Sequence, residues 1–312
     1  MRITVAAAAK ALEALSPLLE TYRRRFNLRL VETPGEVPDP VRQRQLAGGA
    51  DAMLLVGSRR RSPRTVLPGP FLEDSRGRRV PTGWLPEVGE VPLKRFAEAA
   101  ARLHERSTNP GQRVVAVLSQ WNPKYLHLAN RIEELLAADP TATAVMGWSG
   151  DQLTRDDLMR GLDCGLAAAI YVGHGRPVGW VGYHGTRAHH FQGNAGHPLG
   201  VMFSLCCATA SRKRTGLSFS EALPLMGRAA ASFGAVEATL HADNTRWALG
   251  LCQAVRQGGQ TLAETLLLAL PTSASAIRGY RILGDPLAPL AAAPGALQQA
   301  VTIGKYDEYL SA

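Results

Sequence analysis

The chain has 312 residues, 46% of them hydrophobic and only 6% aromatic, with a formal net charge of +9. That length suits one large α/β unit or two smaller ones, and the abundant alanine and leucine argue against an all-β sandwich and against pervasive disorder. No apolar run approaches the ~20 residues of a membrane-spanning helix, and Cys164, Cys206, Cys207 and Cys252 lack the spacing of a zinc knuckle.

In chain order, apolar β-rich runs alternate with helix-period segments, the pattern of parallel strands joined by crossover helices. Residues 1–19 carry Lys10 and Glu13 inside an amphipathic pattern, which reads as strand then helix rather than a secretory leader, so a cytoplasmic protein is expected. Strands are expected at residues 3–7, 28–31, 52–56, 114–118, 143–146, 167–172, 200–205 and 234–239. Helices are expected at 12–23, 93–106, 124–138, 155–164, 219–229, 244–257 and 262–270, with stops at Asp139-Pro140 and Gly258-Gly259. The Pro-, Gly- and Arg-rich stretch 57–92 shows no sustained period and reads as a long ordered excursion. The turn signal Thr108-Asn109-Pro110-Gly111 divides the chain into an N-terminal α/β subdomain, 1–108, and a larger subdomain, 109–312. The densest positive cluster, Arg59, Arg60, Arg61 and Arg64, falls in the excursion and reads as a solvated basic surface or a site for an acidic protein partner rather than a nucleic-acid footprint.

Two segments carry chemistry. Ile170-Tyr171-Val172-Gly173-His174-Gly175 is an apolar strand ending in a histidine between glycines, and strand ends of open α/β sheets are where functional groups collect. Gly200-Val201-Met202-Phe203-Ser204-Leu205-Cys206-Cys207-Ala208-Thr209-Ala210 is a second strand running into thiols and small residues. Cys207 follows His174 by 33 positions, about one βαβ crossover, so adjacent parallel strands would deliver both side chains to one sheet edge. Singly, such a histidine is more often a hydrogen-bonded turn residue and such a cysteine a small core hydrophobe; matched strand ends reverse that weighting. Successive strand residues point to opposite faces, so one of Cys206 and Cys207 faces the core. His184, His189, His190 and His197 crowd a neighbouring segment without regular spacing or companion acids and read as a polar loop, so neither a metal nor a cofactor is expected.

Tyr171-Val172-Gly173-His174-Gly175 followed by Trp180, and Ser204-Leu205-Cys206-Cys207-Ala208-Thr209, resemble the histidine and nucleophile segments of gingipain-like cysteine peptidases, which share the caspase–hemoglobinase fold with the CHAT proteases. Ala52-Met53-Leu54-Leu55-Val56-Gly57, Val80-Pro81-Thr82-Gly83-Trp84-Leu85-Pro86 and Ile282-Leu283-Gly284-Asp285-Pro286 extend the resemblance over residues 50–290. Ala210, Thr82 and Trp84 depart from the family pattern, which has glycine, often aspartate, and arginine there. The resemblance implies a caspase-like, mostly parallel sheet flanked by helices, with His174 as general base, Cys207 as nucleophile, and the N–H groups of Gly175 and Cys207 as oxyanion donors. A register that aligns Cys206 instead fits the CHAT proteases.

The implied activity is hydrolysis of a protein or peptide substrate through a thioester acyl-enzyme, with a regulatory protein partner as a further expectation. Trp180, Asp151 and Cys206 are candidate pocket residues; Asp151 is also a candidate to orient the imidazole, or a helix-start residue. The loop Ser119-Gln120-Trp121-Asn122-Pro123-Lys124, where an acidic pocket residue would fall, holds no carboxylate, which argues against selection of Arg or Lys unless Asp151, Glu237 or Asp243 supplies the charge. A catalytically silent scaffold and a basic adaptor for protein or nucleic acid are the alternative classes.

Overall fold

The computed structural model describes residues 1–58, 66–106, 113–138, 143–191, 196–271 and 273–303. The arginine cluster at 59–64, the turn at 108–111 and the Asp139-Pro140 stop lie outside the described residues. Thirteen strands run through them: β1 (Arg2–Ala7), β2 (Asn27–Glu32), β3 (Ala52–Ser58), β4 (Phe71–Glu73), β5 (Arg79–Glu87), β6 (Arg113–Ser119), β7 (Thr143–Gly147), β8 (Ala168–Val172), β9 (Gly175–Arg176), β10 (Gly179–Trp180), β11 (Leu199–Leu205), β12 (Ala229–Ala235) and β13 (Tyr280–Gly284).

Ten of these form one sheet in the order β2-β1-β3-β5-β13-β12-β11-β8-β6-β7, with β4 added on β5. Neighbours are parallel except β12 with β13 and β4 with β5. The sheet therefore consists of two parallel halves of opposite polarity that meet between β12 and β13. Side chains alternate between two cores, as a pleated strand requires. Val115 and Val117, Ile170 and Val172, and Phe203 and Leu205 enter one core; Ala116 and Leu118, Ala169 and Tyr171, and Met202 and Cys206 enter the other. Both faces are covered by helices, which is why these strands read as continuous apolar runs.

Two expectations from sequence need correction. The strand expected at 234–239 is β12, five residues earlier, because Ala229-Ala230-Ala231 carries high helix propensity yet lies wholly buried between β11 and β13. The excursion at 57–92 contains β4 and β5, and the two prolines of β5, Pro81 and Pro86, masked a strand paired with β3, β4 and β13. Gly83 is what lets β13 approach: a Cβ there would stand 2.1 Å from the Gly284 carbonyl oxygen.

Just past β13, the buried Asp285 accepts hydrogen bonds from the Tyr22 hydroxyl at 2.5 Å and the Leu287 N–H at 2.7 Å, and lies 2.7 Å from His104 Nε2. Its carboxylate thus joins the helices Ser16–Arg25 and Glu90–His104 to the end of the sheet's central strand. Burial, then the neighbouring Asp285 charge, pushes the Tyr22 phenol well above its ordinary pKa.

Candidate active site

β6, β8, β11 and β12 are parallel neighbours in step. Ser119 pairs with Val172 and Val172 with Leu205, while the pairing of Ser204 with Gly234 sets Ala235 level with Leu205. The four strands end along one line, so residues 120–122, 173–175, 206–208 and 236–240 leave from one edge. His174 lies two residues past Val172 and Cys207 two residues past Leu205. The register thus brings these two together at the same level, on strand ends that lie about 4.8 Å apart.

The double cysteine separates by environment. Cys206 follows the parity of Met202 into the core and is 0% exposed; burial, then the neighbouring Cys207, pushes its thiol well above the ordinary value. Burial raises Cys164 to about 11 and Cys252 to about 12. Cys207 is half-buried. The Thr239 N–H donates to its Sγ at 3.4 Å, and the Thr239 hydroxyl lies 3.7 Å away. The chain turns sharply after the thiol, with Ala208 at φ 59° and its N–H donating to the Glu237 carbonyl at 2.9 Å.

Gly175 packs against this turn so closely that a Cβ would fall 2.4 Å from the Cys207 carbonyl oxygen and 2.6 Å from Cys206 Sγ. His174 is held from three sides. Its N–H donates to Gln120 Oε1 at 3.0 Å, and its carbonyl accepts from the Tyr171 hydroxyl at 3.1 Å and the Val181 N–H at 3.0 Å. Its exposed imidazole meets Tyr125 edge to face, ring centroids 5.4 Å apart, with the Tyr125 hydroxyl 3.4 Å from Nε2.

Trp180 and Cys206 do not line a cleft. Trp180 is 2% exposed, stacks on Tyr171 with centroids 4.3 Å apart, and donates from Nε1 to Ser204 Oγ at 3.0 Å, so it is a core residue beneath the edge. Asp151 does not start a helix either, since Thr154 caps the helix Arg155–Leu162. Its carboxylate clasps two loops instead, accepting the Trp121 N–H at 3.1 Å and the Tyr183 N–H at 2.7 Å. His190 Nδ1 accepts the Arg187 N–H, and the described residues hold no group of three or more His, Cys, Asp or Glu placed to bind a metal ion. Gln120, Tyr125 and Thr239 escaped the sequence reading; only the positions of Gln120 and Tyr125 just past the end of β6 would have singled those two out.

The sequence profile of peptidase family C25 matches residues 97–291, more than half of the chain. Gingipain R (RgpB), an Arg-specific cysteine proteinase, superposes with a TM-score of 0.71 at 15% identity, covering 92% of this chain and 77% of that one. The complex of Porphyromonas gingivalis RgpB pro- and mature domains gives 0.71 at 15% identity, covering 93% and 80%. The Saccharomyces cerevisiae separase–securin complex gives 0.50 at 15% identity over 76% of this chain and 16% of that one. No curated protein matches the chain in sequence. By class the protein is a cysteine peptidase, a hydrolase on a mostly parallel α/β fold shared with gingipain R. It belongs to peptidase family C25.

Proposed function

We propose that the chain hydrolyses peptide bonds through a His174–Cys207 dyad. His174 takes the proton from Cys207 Sγ, and the thiolate attacks the scissile carbonyl carbon to form a tetrahedral adduct. The N–H groups of Gly175 and Cys207 stabilise its oxyanion. As the C–N bond breaks, His174 gives the proton to the departing amine, leaving a thioester on Cys207. Water, deprotonated by His174, then attacks the thioester and releases the carboxylate product and the thiol.

The observation that carries this reading is the strand register, which sets His174 and Cys207 level on adjacent strand ends. Burial of Cys206 supports Cys207 as the nucleophile, because a reactive thiol must be reachable and a raised thiol pKa suppresses the thiolate. Tyr125 supplies the imidazole's polar neighbour at 3.4 Å and takes the place of an orienting carboxylate. A protein lying on the same edge would regulate the enzyme; two of the similar structures are complexes, one of pro- and mature domains and one of separase with securin.

The test is cleavage of a peptide library by wild type, Cys207→Ala and Cys206→Ala, with labelling by a peptidyl electrophile. Cys207→Ala is expected to abolish both cleavage and labelling, and Cys206→Ala to keep both within about tenfold of wild type. Cleavage retained by Cys207→Ala would overturn the assignment.

A further inference from the structure

Trp121 and Leu240 are each 69% exposed, more than any other large apolar side chain among the described residues. Both stand on the edge that carries His174 and Cys207, and each is one residue from a group that touches the pair. Gln120 binds the His174 N–H, and Thr239 binds Cys207 Sγ. Trp121 follows β6 and Leu240 follows β12, so they bracket the two strand ends between them.

Neither residue is explained by local structure. Leu240 occupies the N-cap of the helix His241–Arg256 and makes no side-chain capping bond, at a position where Ser, Thr, Asp or Asn would stabilise the helix. The Trp121 backbone is fixed by Asp151, and its ring leans on Gly150, where a Cβ would come within 3.3 Å of Trp121 Cε3. Rigidly presented apolar groups that break a local rule beside a reactive centre mark a binding surface.

The charge around them disfavours a basic substrate side chain. Lys124 Nζ lies 4.6 Å from the Tyr125 ring centroid, and Tyr125 in turn packs on His241. Of the carboxylates that could select a cation, Asp151 is engaged by two backbone N–H groups and Asp243 by Arg246 at 2.7 Å. Glu237 is exposed, and only its backbone carbonyl, which accepts the Ala208 N–H, is tied to the turn that bears Cys207.

We infer that Trp121 and Leu240 are the specificity-determining residues of the cleft, gripping an extended peptide through two apolar side chains on either side of the bond to be cut. The inference rests on the peptidase reading of this edge and adds the substrate class. From β6 to β12 is three strand spacings, roughly 14 Å, or about four residues of extended peptide. Side chains four residues apart lie on the same face of an extended chain, so both reach the edge together.

The experiment profiles a library of peptides with independently varied positions around the cut, using wild type, Trp121→Ala, Leu240→Ala and, as a surface control, Val91→Ala, whose side chain is 60% exposed on the helix Glu90–His104. The same peptides are titrated against Cys207→Ala by fluorescence anisotropy, which reads the surface without chemistry. Wild type is expected to favour bulky apolar residues at two positions about four apart. Each cleft variant is expected to lose the preference at one of them by about tenfold, the scale set by one apolar contact in a pocket, while Val91→Ala keeps both. Preference for Lys or Arg, or an unchanged profile in both cleft variants, overturns the inference by either readout. Apolar-selective binding without cleavage by wild type supports the surface and sinks the peptidase reading alone.

Discussion

At His174 the imidazole has a phenol for a neighbour. The Tyr125 hydroxyl, 3.4 Å from Nε2, restrains the ring while carrying no charge to stabilise an imidazolium. A single neutral hydrogen bond contributes about 1 kcal/mol. Tyr125→Phe is therefore expected to lower kcat about fivefold at nearly constant KM; steady-state kinetics checks it. A fall in KM-dependent terms alone would mean that Tyr125 only shapes the cleft. Sequence singled out His174 and Cys207 as candidates because glycines and small residues mark a sharp exit from an apolar strand. Tyr125 was hidden because it also fits the apolar face of the helix Pro123–Ala137. Thr239 was hidden because β12 was expected five residues too late.

Among the elements, the short segment from Gly173 to Trp180 does the most with the fewest atoms. It turns back on itself as β9 and β10, with Trp180 paired to Gly175, so the residue after the histidine is fixed by a hairpin and by the turn that bears Cys207 at once. Gly175→Ala would drive a Cβ into the Cys207 carbonyl, and the turn bearing the thiol would have to move. Misplacement by about 1 Å costs about a hundredfold in rate, so kcat/KM is expected to fall at least that far with the far-UV circular dichroism unchanged. The variant that cleaves at the wild-type rate would rule out this packing as part of catalysis. The strands β4, β5, β9, β10 and β13 were not expected from sequence; β4 and β5 were hidden for a similar reason of close approach, since prolines and glycines signal a loop locally and only the neighbours β3 and β13 turn β5 into a strand.

On the scale of the whole molecule, one buried carboxylate anchors two helices at the end of the sheet's central strand. Asp285 accepts from Tyr22 and Leu287 and lies against His104, so it ties two helices to the end of β13, the strand of the first half that meets β12. Asp285→Ala leaves the Tyr22 hydroxyl and His104 buried without this partner, and a loss of about 3 kcal/mol is expected. Urea unfolding followed by fluorescence measures it; a change under about 0.5 kcal/mol, the range of surface substitutions, would show that the network is ornamental to stability. The α/β class was legible throughout from alternating periods. The reversal of polarity between β12 and β13 was not, since it depends on a pairing across almost 50 residues of chain.

The strand at the middle of the sheet is the last of the thirteen in chain order. On a ribosome, β12 is finished 45 residues before β13 begins, a delay of roughly 2–9 s at about 5–20 residues per second. Throughout that interval β5 and β12 are two open apolar edges, each able to pair with a wrong partner. His174 and Cys207 have by then been made, on a half-sheet that lacks its flank. The order of synthesis thus leaves these two residues on an unfinished sheet until the last strand arrives to join the two halves.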